Sequence, residues 1–232
     1  MLGDLLGFAL SGLLIVLCMG LAYLVVKHGD KKFGSLKSEV ARKIVHIGVS
    51  NWFFIYYYCF ETFVWPALGL ALFAVINFVL TASGSYSKII GKESTKRSWG
   101  VVYYPLAVIV LLVLHELGVG TRLDVGCGLL GMGYGDGLAA LIGAKYGKSK
   151  LSKNSKKTVL GSVTMLLVVA IIVFAVKSGF GGVSEAWSMG SFGLVLFSLS
   201  VGLIAAIFEA VTPLGLDNIS VPIVIYLMAG LV

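Results

Sequence analysis

Eight apolar segments, separated by short polar loops, constrain the fold of this chain more than any other feature. They cover residues 5–26, 44–60, 63–82, 101–117, 125–144, 158–176, 191–210 and 219–232, and the last is short. A membrane-spanning helix needs about 20 mostly apolar residues. Charged residues make up only 12% of the chain, against about 25% in soluble domains. The pattern predicts an all-α, polytopic transmembrane helix bundle of seven or eight spans, with residues 1–232 forming a single integral membrane domain.

The lysines and arginines lie in alternate loops. Residues 27–43, 83–100 and 145–157 together hold 16 of the 18, and these loops follow the first, third and fifth apolar segments. Since the cytoplasmic loops of membrane proteins are enriched in Lys and Arg, we expect these three loops in the cytoplasm and the N-terminus outside. The loop after the seventh segment is then cytoplasmic as well. The net charge of +7 is explained by this orientation, and no nucleic acid partner is predicted.

The first polar cluster lies where the second apolar segment begins. It contains Arg42, Lys43 and His46, and Arg42 and His46 are four residues apart, so they share one face of a helix. A fixed cation beside an imidazole could bind a phosphate group, and ionisable residues inside a membrane are usually functional because they are costly to bury. The alternative is a basic membrane anchor next to one buried histidine.

A second basic cluster precedes the fourth apolar segment. Lys96 and Arg97 come shortly before Tyr103, Tyr104 and Pro105. Taken alone, this segment is better explained by membrane topology, contact with lipid headgroups and an interfacial belt of tyrosines. It enters the functional argument because the other polar clusters lie in or beside the same set of predicted cytoplasmic loops.

The third cluster is a glycine-rich run, residues 131–137, that contains an aspartate. Glycine lets the backbone approach a ligand closely, and Asp136 in an apolar segment is costly unless it binds a metal ion such as Mg²⁺ or a paired cation. Lysines in the following loop can neutralise phosphates. Close packing of helices through small residues would explain the glycines but not the aspartate. The candidate residues are Gly135, Asp136, Gly137, Lys156, Lys157 and Thr158.

A fourth cluster combines acidic residues with turn residues near the end of the chain. Glu209 ends the seventh apolar segment, and Asp217 and Asn218 follow between Pro213 and Pro222. Asp-Asn near prolines is ordinary turn chemistry. However, this predicted cytoplasmic loop holds no Lys or Arg, and carboxylates facing the basic loops would suit a metal–phosphate centre.

Taken in order, these clusters resemble the CTP-dependent lipid kinases, the family of dolichol kinase, yeast-type diacylglycerol kinase and phytol kinase. The resemblance covers about residues 38–225. It implies transfer of the terminal phosphate of CTP to the hydroxyl of a membrane lipid alcohol, either diacylglycerol or a prenol such as phytol, with Mg²⁺ or another divalent cation. The residues that carry it are Arg42, Lys43, His46, Lys96, Arg97, Tyr103, Tyr104, Pro105, Gly135, Asp136, Gly137, Gly143, Gly147, Lys157, Thr158, Gly161, Ser162, Glu209, Asp217, Asn218 and Pro222.

On this hypothesis the active site faces the cytoplasm and takes its lipid from the bilayer. Asp136 holds the metal ion with Glu209 or Asp217. His46 or one of the carboxylates, with Asp217 among the candidates, takes the proton of the lipid hydroxyl. The residues predicted to bind the nucleotide, through side chains or glycine backbone N–H groups, are Arg42, Lys43, Lys96, Arg97, Gly135, Gly137, Lys156, Lys157, Thr158 and Asn218.

Three other functions remain open. A cytidylyltransferase would make a CDP-lipid and would incorporate the α-phosphate of CTP, whereas a kinase transfers the γ-phosphate. A transporter of anions often has inverted repeats and charges at the membrane midplane, but this sequence shows no repeat and its motif charges lie towards one face. A structural membrane protein would not need Asp136 within a glycine run.

Overall fold

A computed structural model describes residues 2–29, 33–85, 99–152, 157–179, 190–213 and 215–232. Over these ranges the chain forms nine α-helices and a short 3₁₀ turn at Gly34–Leu36, so the predicted all-α class is confirmed. The helices are α1 (Leu2–His28), α2 (Lys37–Ser50), α3 (Trp52–Cys59), α4 (Val64–Ala82), α5 (Gly100–Glu116), α6 (Arg122–Tyr146), α7 (Val159–Gly179), α8 (Gly190–Val211) and α9 (Asp217–Ala229).

Five of the described helices are long and apolar enough to cross a membrane, namely α1, α4, α6, α7 and α8. The predicted count of seven or eight spans is therefore not confirmed. Helices α5 and α9 are apolar but have only 17 and 13 residues. The segment expected as one span at 44–60 is divided at Asn51 into α2 and α3. The placement of the N-terminus outside stays a prediction.

Helix α6 lies at the centre of the bundle, with 67% of its most apolar stretch buried. It packs against α2, α3, α5, α7 and α9. Its glycines permit this, because a β-carbon added at Gly133 or Gly137 would collide with Ser50 or Ile47 of α2. Small residues at such positions let helix backbones approach closely in membranes. The structure thus supports the packing explanation of the glycine-rich run.

A buried ion pair joins α6 to α7 at the end of the bundle where α6 begins. Lys177 Nζ lies 2.7 Å from Asp124 Oδ1, and the two side chains are 8% and 1% exposed. Asp124 also caps α6, since its Oδ2 accepts hydrogen bonds from the backbone N–H and the hydroxyl of Thr121. Lys177 in addition donates to the backbone oxygen of Val232 at 2.6 Å. Asp124 therefore both caps the N-terminus of α6 and forms an ion pair with α7.

Candidate active site

The buried carboxylate of Asp136 is held between two side chains of α2. Lys43 Nζ donates to Asp136 Oδ2 at 2.5 Å, and His46 Nε2 lies 3.4 Å from the same oxygen. Lys43 and His46 are three residues apart and so lie on one face of α2. The close approach of α2 to α6 at Gly133 and Gly137 brings that face to Asp136. The sequence predicted both the cationic cluster and the buried aspartate, and the structure brings them together.

Arg42 points away from this contact. Its guanidinium forms an ion pair with Glu39 on the preceding helical turn, at 2.6 Å, and its side chain is 39% exposed. Arg42 and Lys43 are adjacent in sequence and therefore diverge around the helix. Of the two cations, Lys43 contacts Asp136, whereas Arg42 lies at the margin of this contact.

His46 has an aromatic neighbour that its sequence position did not indicate. The imidazole ring lies on Tyr104 of α5, with 4.7 Å between ring centroids and 51° between planes. Tyr104 is fixed in turn, because its hydroxyl donates to the backbone carbonyl of Leu129 at 3.1 Å. Within the described residues, His46 Nε2 is buried without a hydrogen-bond partner. The ring is thus positioned by packing, and Nε2 faces the Asp136 carboxylate without a hydrogen bond to it.

A second charged cluster forms where α7 and α9 begin and α8 ends. Lys157 Nζ lies 3.0 Å from Glu209 Oε1 and 3.1 Å from Asp217 Oδ2, and it also donates to the backbone carbonyl of Glu209. Burial alone would lower the pKa of Lys157, but these two carboxylates outweigh it and hold the pKa above its usual value. Lys157 is therefore protonated throughout the physiological pH range.

The two charged clusters are neighbours at the same end of the bundle. The charge of Asp136 acts on the carboxyl group of Glu209, although the two residues belong to different helices. At this end the first residue of α5, Gly100, also lies against the side chain of Asn218. The first, third and fourth sequence clusters, together with the start of the helix that follows the second, thus converge on one region. Lys96 and Arg97 of the second cluster lie outside the described residues, as does Lys156.

Two of the predicted nucleotide-binding side chains make local structural contacts. The hydroxyl of Thr158 accepts a hydrogen bond from the backbone N–H of Gly161 at 3.1 Å, as an N-cap of α7 does. The side-chain amide of Asn218 donates to the carbonyl of Gly215 at 3.1 Å and closes the turn before α9. Both residues shape the site, and their contact with a nucleotide stays a prediction.

The predicted glycines Gly135 and Gly137 lie inside the continuous helix α6. A β-carbon at Gly135 would come 2.6 Å from the sulfur of Met165 on α7. In a helix interior the backbone N–H groups donate to carbonyls four residues earlier. These glycines therefore have a clear packing role, and their approach to phosphate through the backbone receives no support from this geometry.

The chain is similar to known kinases of lipid alcohols. A phytol kinase of Synechocystis sp. is 28% identical over 193 residues, covering 80% of this chain and 76% of that protein. A chloroplastic farnesol kinase of Arabidopsis thaliana is 24% identical over 229 residues, covering 93% of this chain and 70% of that protein. A dolichol kinase of the same plant is 34% identical over 104 residues, covering 43% of this chain and 16% of that protein.

The predicted resemblance to the lipid alcohol kinases is confirmed. The similarity to the phytol and farnesol kinases extends over most of the chain at modest identity. No protein-family model matches the chain, and no solved structure matches it.

The carboxylates offer a partial fit to the divalent metal ion that the family resemblance implies. Glu209 and Asp217 converge on one cation, the ammonium group of Lys157, whereas Asp136 is engaged by Lys43. The described part of the chain contains no group of three or more His, Cys, Asp or Glu residues arranged to hold a metal. Mg²⁺ in phosphoryl-transfer sites is commonly bound by one or two carboxylates together with substrate phosphates. Glu209 and Asp217 could supply these two carboxylates.

Proposed function

We propose that this protein is a membrane kinase that transfers the terminal phosphate of a nucleoside triphosphate, CTP, to the hydroxyl of a prenol. The named relatives act on phytol, farnesol and dolichol, which favours a prenol over diacylglycerol as acceptor. The apolar helices provide access to such a lipid from the bilayer. The loops rich in Lys and Arg support a site on the cytoplasmic face, where the nucleotide is available.

The observation that carries the proposal is Asp136, buried at one end of the bundle between Lys43 and His46. A buried carboxylate inside a membrane protein is costly and marks a functional site by default. Here it fixes a lysine and lies beside an imidazole whose Nε2 has no other partner among the described residues. In phosphoryl transfer the protein contributes mainly positioned charges and little covalent chemistry of its own.

In the proposed reaction the oxygen of the lipid hydroxyl attacks the γ-phosphorus, and the bond from that phosphorus to the β-phosphate oxygen breaks. Nε2 of His46 accepts the proton of the hydroxyl. Lys43, Lys157 and Arg42 bind phosphate oxygens and stabilise the charge that develops on them. Glu209 and Asp217 would hold the divalent ion, which neutralises phosphate charge when bound. The products are a lipid monophosphate and the nucleoside diphosphate.

The test uses purified protein in detergent with Mg²⁺, a panel of lipid alcohols, and CTP labelled at either the α- or the γ-phosphate. We expect γ-label in the lipid phase with phytol, farnesol or a longer prenol as acceptor. The Asp136→Asn variant should lose this activity. The control Asp4→Asn alters a buried carboxylate of α1 that contacts Glu61 rather than the site, and it should retain activity.

Three outcomes would redirect the assignment. Appearance of α-label in lipid, only when phosphatidate is supplied, would identify the cytidylyltransferase reaction instead. Transfer to diacylglycerol but to no prenol would keep the kinase and change its acceptor. Full turnover by Asp136→Asn would remove the residue on which the proposed mechanism depends.

A further inference from the structure

One face of α4 is buried although most of this helix is exposed to lipid. The buried positions include Leu70, Ala74, Asn77 and Thr81, which recur at intervals of three and four residues. This spacing defines a single helix face. The first two are apolar, and the two nearer the end of α4 are polar, so the face changes character along its length.

The two polar side chains on this face are almost fully buried. Asn77 is 6% exposed and Thr81 is 4% exposed. The hydroxyl oxygen of Thr81 is buried without a hydrogen bond in the described part of the chain. A threonine in a helix ordinarily donates to the carbonyl four residues earlier. A hydroxyl group buried in this way costs free energy unless a hydrogen-bond partner satisfies it.

The apolar part of the same face borders a small cavity next to the candidate active site. The cavity has a volume of about 20 Å³ and lies between α2, α3, α4, α5 and α6. Its walls are apolar apart from Tyr104, the residue whose ring packs on His46. The lining includes Val49, Trp52, Leu70, Phe73, Tyr104 and Leu129. Val49 is three residues from His46 on α2, so the cavity lies about one helical turn from the imidazole.

The polar part of the face lies towards the charged end of the bundle. Phe78, the neighbour of Asn77, packs on Trp99 with 5.7 Å between ring centroids. Trp99 precedes Gly100, which lies against Asn218 in the site region. Along α4, the order from membrane interior to site is therefore apolar cavity, then Asn77, then Thr81.

We propose that Asn77, assisted by Thr81, binds the hydroxyl of the lipid alcohol where the lipid enters between α4 and the α2–α3 pair. In this proposal the hydrocarbon chain lies against the apolar part of the α4 face, and the hydroxyl is held for transfer towards His46. A carboxamide suits this role because it both donates and accepts hydrogen bonds, as an alcohol does. This inference rests on the proposed kinase function. It gives the role of binding the lipid hydroxyl to a residue outside the four sequence clusters.

The kinetic test compares Asn77→Leu and Thr81→Val with Val79→Ala, a change on the lipid-exposed side of the same helix. For Asn77→Leu we expect the KM for the lipid alcohol to rise about 3- to 10-fold, the effect of losing one hydrogen bond, with the KM for CTP unchanged. Thr81→Val should give a smaller rise, and Val79→Ala none. Equal changes in both KM values, or an unchanged lipid KM in Asn77→Leu, would overturn the inference.

A second test separates this inference from the kinase assignment because it requires no turnover. A prenol carrying a photoreactive diazirine on its chain is incubated with the protein without nucleotide, irradiated, and the labelled peptides are mapped. The matched probe is the methyl ether of the same prenol, which cannot donate a hydrogen bond. We expect the alcohol to label α4 around Phe73 more strongly than the ether does, and Asn77→Leu to remove the difference. Equal labelling by both probes in the unaltered protein would refute hydroxyl recognition by Asn77, whatever the kinase assay shows.

Discussion

Replacing Lys43 by methionine removes the cation that Asp136 contacts in the interior and leaves a buried carboxylate. The two side chains are 7% and 15% exposed, and the Nζ–Oδ2 distance is 2.5 Å. Loss of one partner from a buried ion pair lowers the free energy of unfolding by about 3–5 kcal/mol. At about 2–4 °C per kcal/mol for a chain of this size, the unfolding midpoint should fall by about 6–20 °C.

The matched control is Glu39→Gln, which breaks the Arg42–Glu39 pair one turn earlier on the same helix. Those side chains are 39% and 31% exposed. Exposed pairs contribute only about 0–1 kcal/mol, so this midpoint should move by no more than about 4 °C. Thermal unfolding followed by intrinsic fluorescence in detergent measures both variants under identical conditions.

The double variant Lys43→Met with Asp136→Leu separates stability from chemistry. Because replacing both members of a buried pair by apolar residues is often neutral, its midpoint should return to within a few degrees of the unaltered protein. Kinase activity should remain absent. An unchanged midpoint in Lys43→Met alone would contradict the buried ion pair, and activity in the double variant would contradict the role of Asp136.

Two further predictions concern the scaffold. Gly133→Ala should lower the free energy of unfolding by about 1–3 kcal/mol, because its new β-carbon overlaps Ser50. The control is Gly20→Ala on α1, where a β-carbon meets nothing within 4 Å. This change should leave the unfolding midpoint unchanged or higher. Asp124→Asn should lower the unfolding midpoint because it breaks the buried ion pair with Lys177. The KM values of the folded protein should stay unchanged. A selective rise in either KM would show that this end of the bundle contacts substrate.

The helical bundle and the location of the candidate site follow from local patterns in the sequence. Apolar runs predict helices, and basic loops predict which helix ends lie on one side. Asp136 was identifiable because a carboxylate in an apolar glycine-rich run requires a partner or ligand, and Lys43 and His46 provide one. The same glycines that suggested phosphate binding turned out to serve helix packing, since a small residue satisfies both requirements equally well.

Contacts between residues far apart in the sequence could not be predicted from sequence patterns. Lys43 and Asp136 are 93 residues apart, and Lys157 meets carboxylates 52 and 60 residues further along the chain. Such pairings depend on how whole helices pack, which no spacing rule encodes. The predicted number of spans is not confirmed for a related reason. Helices α5 and α9 are apolar but shorter than a usual span, and α9 packs against α5 and α6.

The contrast between α1 and α6 has a consequence for how the sequence diverges over time. Only 11% of the most apolar stretch of α1 is buried inside the protein, compared with 67% for α6. A position that faces lipid accepts almost any apolar side chain, whereas a position on α6 must also fit several neighbouring helices. Substitutions among relatives should therefore accumulate fastest on α1 and slowest on α6, including in the half of α6 that lies far from Asp136. Evolutionary rate in this protein is expected to follow contact with lipid rather than distance from the site.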